Sequence, residues 1–210
     1  MNKRNYQKEL DKIIENIKKE DSVPSLFLHS CCAPCSSYCL EYLSEYFEIT
    51  VFYYNPNIFP AEEYEERVNE QERLICEMNE AGVKHPIHLV KGEFRPEVFY
   101  EAVKGLEKEP EGGARCTECF KLRLEESARL AKEVGYDYFT TTLTISPLKD
   151  AERLNRIGEE MGERYGVKFL NSDFKKKNGY KRSAELSKEH DLYRQNYCGC
   201  VYSKNQAEKK

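Results

Sequence analysis

The stretch Ser25-Leu26-Phe27-Leu28-His29-Ser30-Cys31-Cys32-Ala33-Pro34-Cys35 decides the fold. Its first half is a short apolar run with the length and composition of a buried strand. Its second half is a turn that carries three thiols, followed by a helical pattern from Cys35 to Phe47 with Leu40 and Leu43 inward. A strand that passes through a tight turn into a helix opens an α/β unit. Nucleotide-binding sheets place glycines in that turn so that backbone amides cradle phosphates. Here the turn has cysteines and no glycine, which argues against ATP and for a metal in its place.

Outward from this stretch, strand and helix patterns alternate. A helix at about 4–20 carries Tyr6, Leu10, Ile13, Ile14 and Ile17 at helical spacing, before Pro24 ends the segment. Strands are predicted at 49–54, 88–90, 138–143 and 167–170. Helices are predicted at 61–81, stopped by Gly82, at 96–104, at 117–134, stopped by Gly135, and at 150–165. Beyond Asn171 no strand pattern is visible. Strands separated by helices imply an α/β fold, a parallel sheet with helices on both faces. Such sheets hold their sites outside the carboxyl ends of the strands. The first cysteine turn sits there, and the loops Asn55-Pro56-Asn57 and Thr144-Ile145-Ser146-Pro147 are expected on the same edge. With 210 residues, 40 % of them hydrophobic, the chain reads as a single α/β domain. Its N-terminal helix precedes the sheet, and a cysteine-containing C-terminal extension (about 171–210) folds across the edge.

Seven of the nine cysteines fall in three clusters: Cys31, Cys32 and Cys35, then Cys116 and Cys119, then Cys198 and Cys200. Clustered thiolates are what iron–sulfur and zinc sites require. A four-cysteine site leaves three thiols over, which points to a metallocofactor with redox chemistry. A disulfide framework fits poorly, because vicinal cysteines make poor bridges and the opening Met-Asn-Lys-Arg is no apolar leader. Cys116 and Cys119 are placed near a helix start, where the dipole is expected to lower a thiol pKa. Cys39 and Cys76 stand alone in helical patterns and are read as small buried apolar residues. A net charge of −4 excludes a globally basic nucleic-acid binder, although Lys175, Lys176, Lys177, Lys181 and Arg182 crowd one stretch. No apolar run is long enough for a membrane span, and a cytoplasmic chain is expected.

The segments LHSCCAPCS, YYNPNIFP, RCTECFKLRL, TTLTISPLKD and DFKKKNGYKRSAELSKEHDLYRQNYCGC together resemble the QueH-type epoxyqueuosine reductases, from about Ser25 to Cys200. The resemblance implies a fold similar to the adenine-nucleotide α-hydrolase (HUP-like) group, with the cysteine turn where relatives bind ATP. It implies a cobalamin-independent oxidoreductase that reduces epoxyqueuosine to queuosine at the wobble position of tRNA and removes the epoxide oxygen as water. The implied cofactors are a [4Fe–4S] cluster and an adjacent iron or zinc ion, with all seven clustered cysteines as ligands. The implied partners are a tRNA carrying epoxyqueuosine and an electron donor, with no membrane.

Further candidates follow from residue chemistry. Asp173 offers an oxygen ligand or a proton, or else caps the next turn. His29 is a proton donor or a satisfied strand histidine. Tyr53, Asn55 and Asn57 are candidates for lining a base pocket, or form a plain turn. Arg115 is a phosphate contact or an electrostatic tuner, and Lys177, Lys181 and Arg182 are phosphate candidates. Tyr180, Tyr193 and Gln195 are possible base contacts. Two other classes stay open. A nucleotide-dependent tRNA-modifying enzyme of the thiolase type would need a glycine- and serine-rich phosphate loop. A zinc-stabilised RNA-binding module would need only four of the thiols.

Overall fold

A computed structural model describes residues 4–208; the chain opening at 1–3, read above for a leader, and residues 209–210 of the C-terminal extension lie outside it. Helix α1 (Tyr6–Glu20) is capped by the Asn5 side chain, which accepts the Lys8 N–H, and it buries Leu10, Ile14 and Ile17. Strand β1 (Ser25–His29) follows and is buried from Leu26 onward. Then come α2 (Ala33–Leu43), β2 (Glu48–Tyr53), α3 (Ala61–Glu80), β3 (His88–Lys91) and α4 (Pro96–Ala102). The second half holds α5 (Ala114–Val134), β4 (Tyr138–Thr141), α6 (Ala151–Tyr165), β5 (Lys168–Phe169), α7 (Gly179–Glu189) and α8 (Val201–Ala207).

The five strands form one parallel sheet in the order β3-β2-β1-β4-β5, with Leu28 paired to Val51 on one side and to Thr140 on the other. Alternation along β1 sorts its side chains between two layers. Leu26 and Leu28 face α1, α2 and α3 through Ile14, Leu40, Leu43 and Leu74. Phe27 faces α5 and α6 through Leu124, Ala128, Leu154 and Ile157. Full burial of a side chain such as Leu28 contributes about 1.5–3 kcal/mol. The chain runs from β1 outward to β3 and then returns to the other flank as β4. The carboxyl end of β1 is therefore the switch point of the sheet, where open α/β sheets bind their ligands.

The structure differs from expectation in three places. The strand predicted at 138–143 ends at Thr141, whose side chain accepts the Leu143 N–H and turns the chain into a 3₁₀ turn, Thr142–Ile145. The helix predicted from 117 begins at Ala114, so Cys116 lies inside its first turn. The extension after Asn171 contains two helices, α7 and α8, that its polar sequence did not announce. No helix among the described residues is long and apolar enough to cross a membrane.

Candidate metal centre

The first thiol group is built by the β1 to α2 turn. Cys32 is extended, Pro34 stands in the first turn of α2, and Cys35 follows it, so three side chains converge over the helix start. The Sγ atoms of Cys31, Cys32 and Cys35 all lie within 4.8 Å of one another, and those of Cys31 and Cys32 are 3.8 Å apart. A tetrahedral ion bound at about 2.3 Å from sulfur holds its ligands roughly 3.8 Å apart. The turn is braced from below. Ser30 and Ser36 both donate to Gln71 Oε1 at 2.7 and 2.9 Å, and Asn55 Nδ2 donates to the Ser30 carbonyl at 2.8 Å.

These thiols share charge unequally. Hydrogen bonds from Cys32 and Cys35 hold the Cys31 thiol well below its ordinary pKa. The same contact with Cys31 pushes Cys32 up to about 12, and Cys35 is raised well above its usual value.

The second group lines a cavity formed by Cys116 and Cys119 from α5 and by Cys198 and Cys200 from the extension, with Asn57, Arg123 and Lys149 among its other walls. Gly112 N–H donates to Cys116 Sγ at 3.2 Å, and Ser203 N–H donates to Cys200 Sγ at 3.4 Å. The helix-start expectation for Cys116 and Cys119 is corrected here. Burial raises both thiols, Cys119 to about 12, because desolvation outweighs the dipole once the sulfur leaves water.

The extension is fastened by a buried arginine. Arg67 of α3 donates from Nη1 to the Cys198 carbonyl at 3.1 Å, and its Nε pairs with Glu63 at 2.6 Å. Phe59 N–H donates to the Gly199 carbonyl at 2.9 Å. Gly199 has φ 137°, and a Cβ there would stand 3.2 Å from Arg67, Asn57 and Ile58. A neighbouring cavity of about 410 Å³ is lined by Cys31, Cys32, Cys35, Cys198 and Lys149. Cys198 and Lys149 belong to both cavities, so the two thiol groups adjoin.

The other sequence candidates separate into two sets. Asn57 and Gln195 line the cavities, and Asn57 Oδ1 and Gln195 Oε1 are buried without a partner. Tyr53 and Asn55 lie beneath the site; Tyr53 is fully buried, and both amide ends of Asn55 are engaged, one by Arg123. His29 is also buried, with Nδ1 on Thr141 Oγ1 at 2.9 Å and Nε2 on the Tyr54 carbonyl at 3.1 Å. Desolvation lowers its pKa to about 3 and keeps it neutral. Arg115 donates to the Leu106, Glu107 and Glu109 carbonyls and so shapes the loop before α5.

Asp173 pairs with Lys175 at 2.8 Å, in a cleft that also includes Lys149 and Lys176. Lys177 pairs with Asp11, Lys181 with Glu185, and Arg182 with Glu41 and Glu189, so these three cations face carboxylates of their own chain. Tyr193 donates to Glu63, and Tyr180 is 45 % exposed on α7. Cys39 is buried as expected, whereas Cys76 lies exposed on α3, outside the inward stripe of that helix. Sequence reasoning missed Arg67, Arg123 and Lys149. The first two occupy inward positions of helices, between Tyr64 and Val68 and between Phe120 and Leu124, and that phase was their only signal.

Comparison with known proteins agrees with the geometry. The family model described as epoxyqueuosine reductase QueH matches residues 26–206. An epoxyqueuosine reductase QueH of Streptococcus pyogenes serotype M1 is 44 % identical over 199 residues, which cover 95 % of this chain and 78 % of the relative. One from Staphylococcus epidermidis is 45 % identical over 204 residues, 95 % of this chain and 84 % of the relative. One from Thermotoga maritima is 36 % identical over 185 residues, 85 % and 90 % of the two chains. With seven thiols gathered at the switch point and a match that spans nearly the whole sheet, the chain belongs to the QueH family of epoxyqueuosine reductases.

Proposed function

We propose that this chain reduces epoxyqueuosine to queuosine at the wobble position of a tRNA, taking up two electrons and two protons and releasing the epoxide oxygen as water. The observation that carries the reading is the convergence of seven thiols on two adjoining cavities at the carboxyl edge of the sheet. That donor set is soft throughout and fits iron–sulfur chemistry. Cys116, Cys119, Cys198 and Cys200 line one cavity and would hold a [4Fe–4S] cluster. Cys31, Cys32 and Cys35, within 4.8 Å of one another, would hold the adjacent iron or zinc ion. When bound, this pair supplies electrons singly and a Lewis acid for the epoxide oxygen.

The protein's own residues supply the rest. Phe99 and Phe120 wall the four-cysteine cavity and limit water there. Asn57 Oδ1 and Gln195 Oε1 offer acceptors for substrate hydroxyl or amine groups. Lys149 lines both thiol cavities and the cleft that holds Asp173, Lys175 and Lys176. Lys149 Nζ would deliver one proton to the departing oxygen and water entering the cleft the second, with Asp173 as a carboxylate of the same cleft. Lys176, exposed in the same cleft, offers a cation for phosphate on a chain that is acidic overall.

The test is a single-turnover assay of the anaerobically reconstituted chain, with a chemical reductant and tRNA bearing epoxyqueuosine. Nucleosides from the digested RNA are then weighed by mass spectrometry. A product lighter by one oxygen is expected; unchanged epoxyqueuosine with fully loaded protein contradicts the proposal.

A further inference from the structure

Arg123 is a buried cation beside the site. Its side chain is buried to 1 % exposure, one helical turn after Cys119 on α5. Its Nη1 donates to Asn55 Oδ1 at 2.9 Å, while Nε and Nη2 are buried with no partner. A guanidinium carries five donors in a fixed fork, and a buried one without acceptors is strongly disfavoured. No carboxylate among the described residues pairs with it. It lines the same cavity as Cys116, Cys119, Cys198 and Cys200.

The other end of the contact leads to the first thiol group. Asn55 is 1 % exposed, and its Nδ2 donates to the Ser30 carbonyl at 2.8 Å, directly before Cys31. Guanidinium, amide and backbone carbonyl thus form a buried relay from the helix of Cys116 and Cys119 to the turn of Cys31, Cys32 and Cys35.

We propose that Arg123 is a positioning residue for the metallocofactor: Asn55 fixes one edge of the guanidinium, so that its unpartnered Nε and Nη2 are presented to sulfur in the four-cysteine cavity. This rests on the cluster reading above and extends it to a residue outside the ligand set. N–H groups aimed at cluster sulfur stabilise the more negative, reduced form and raise the reduction potential. A lysine supplies charge without the fork and replaces this function only in part. The amide of Asn55 sets the angle of the fork, so its removal moves the potential in the same direction.

The experiment is an anaerobic redox titration, followed by electron paramagnetic resonance, of the reconstituted wild type, R123Q, R123K and N55A, with iron and sulfide measured in each. A wild type that takes up no iron and sulfide overturns the cluster reading itself, and this inference with it. Given a loaded wild type, R123Q is expected at a more negative potential, R123K between the two, and N55A shifted in the sense of R123Q. R123Q loaded to the wild-type iron content at the wild-type potential overturns the proposal, since a merely structural role leaves the potential unmoved. If R123Q fails to fold or to load, R123K and N55A decide: a negative shift in either supports the proposal, and wild-type potentials in both overturn it.

Discussion

Cysteines that look equivalent in the sequence behave differently once their surroundings are known. Cys119 is buried and shares its cavity with Cys198, whereas Cys76 is exposed and lines neither thiol cavity. Serine at Cys119 or Cys198 replaces a soft ligand with a hard, weaker one. C119S and C198S are therefore expected to lose at least about 100-fold in turnover and a large part of their bound iron. C76S should match the wild type in iron content and melt within about 0.5 kcal/mol of it. Arg67 gives a second contrast. It ties Glu63 to the carbonyl of a residue 131 positions away in the chain. R67M leaves that carboxylate with only the Tyr193 hydroxyl as partner and frees the Cys198 strap. A stability loss of about 3 kcal/mol is expected by chemical denaturation, with iron lost faster to a chelator. Iron retention at the wild-type rate would show that the strap does not hold the ligands.

At the scale of elements, two short segments control how the sheet meets its site. The Cys198-Gly199-Cys200 turn needs the positive φ of its glycine and the close approach to Arg67. G199A is expected to destabilise by about 1–3 kcal/mol and to lower iron content, with far-UV dichroism unchanged. At the opposite end of β1, the Asp137 carboxylate accepts the Ser25 N–H and hydroxyl, both at 2.8 Å, and joins β1 to β4. Those bonds, the Ser25 N–H first, hold its carboxyl below the ordinary value. The pairing stabilises the fold fully above the unfolded pKa of about 3.9, and the gain disappears as pH falls through the lower folded value. Asp137 is exposed, so D137A should cost only about 1 kcal/mol at neutral pH and close to nothing once the carboxyl is protonated. An equal cost at all pH values would rule this linkage out. The strand itself was legible because burial on both faces writes a continuous apolar run. The helices α7 and α8 were not, because one face of each is polar and their packing partners lie far away in the chain.

Across the whole molecule, the order β3-β2-β1-β4-β5 places one strand end at the switch point, and three distant segments bring thiols to it. The alternation of strands and helices made this edge readable, as did the cysteine turn that replaces a phosphate loop. The division of thiols into three and four was not readable, since it depends on where α5 and the extension come to rest. Nor were Arg67, Arg123 and Lys149, whose meaning comes from burial beside sulfur rather than from any motif. The most direct test is anaerobic purification with visible absorption and with iron, sulfide and zinc analysis. A brown protein with about four sulfides and more than four irons (or four irons and one zinc) per chain is the result this account predicts. A colourless protein that holds a single zinc after iron–sulfur reconstitution would contradict it.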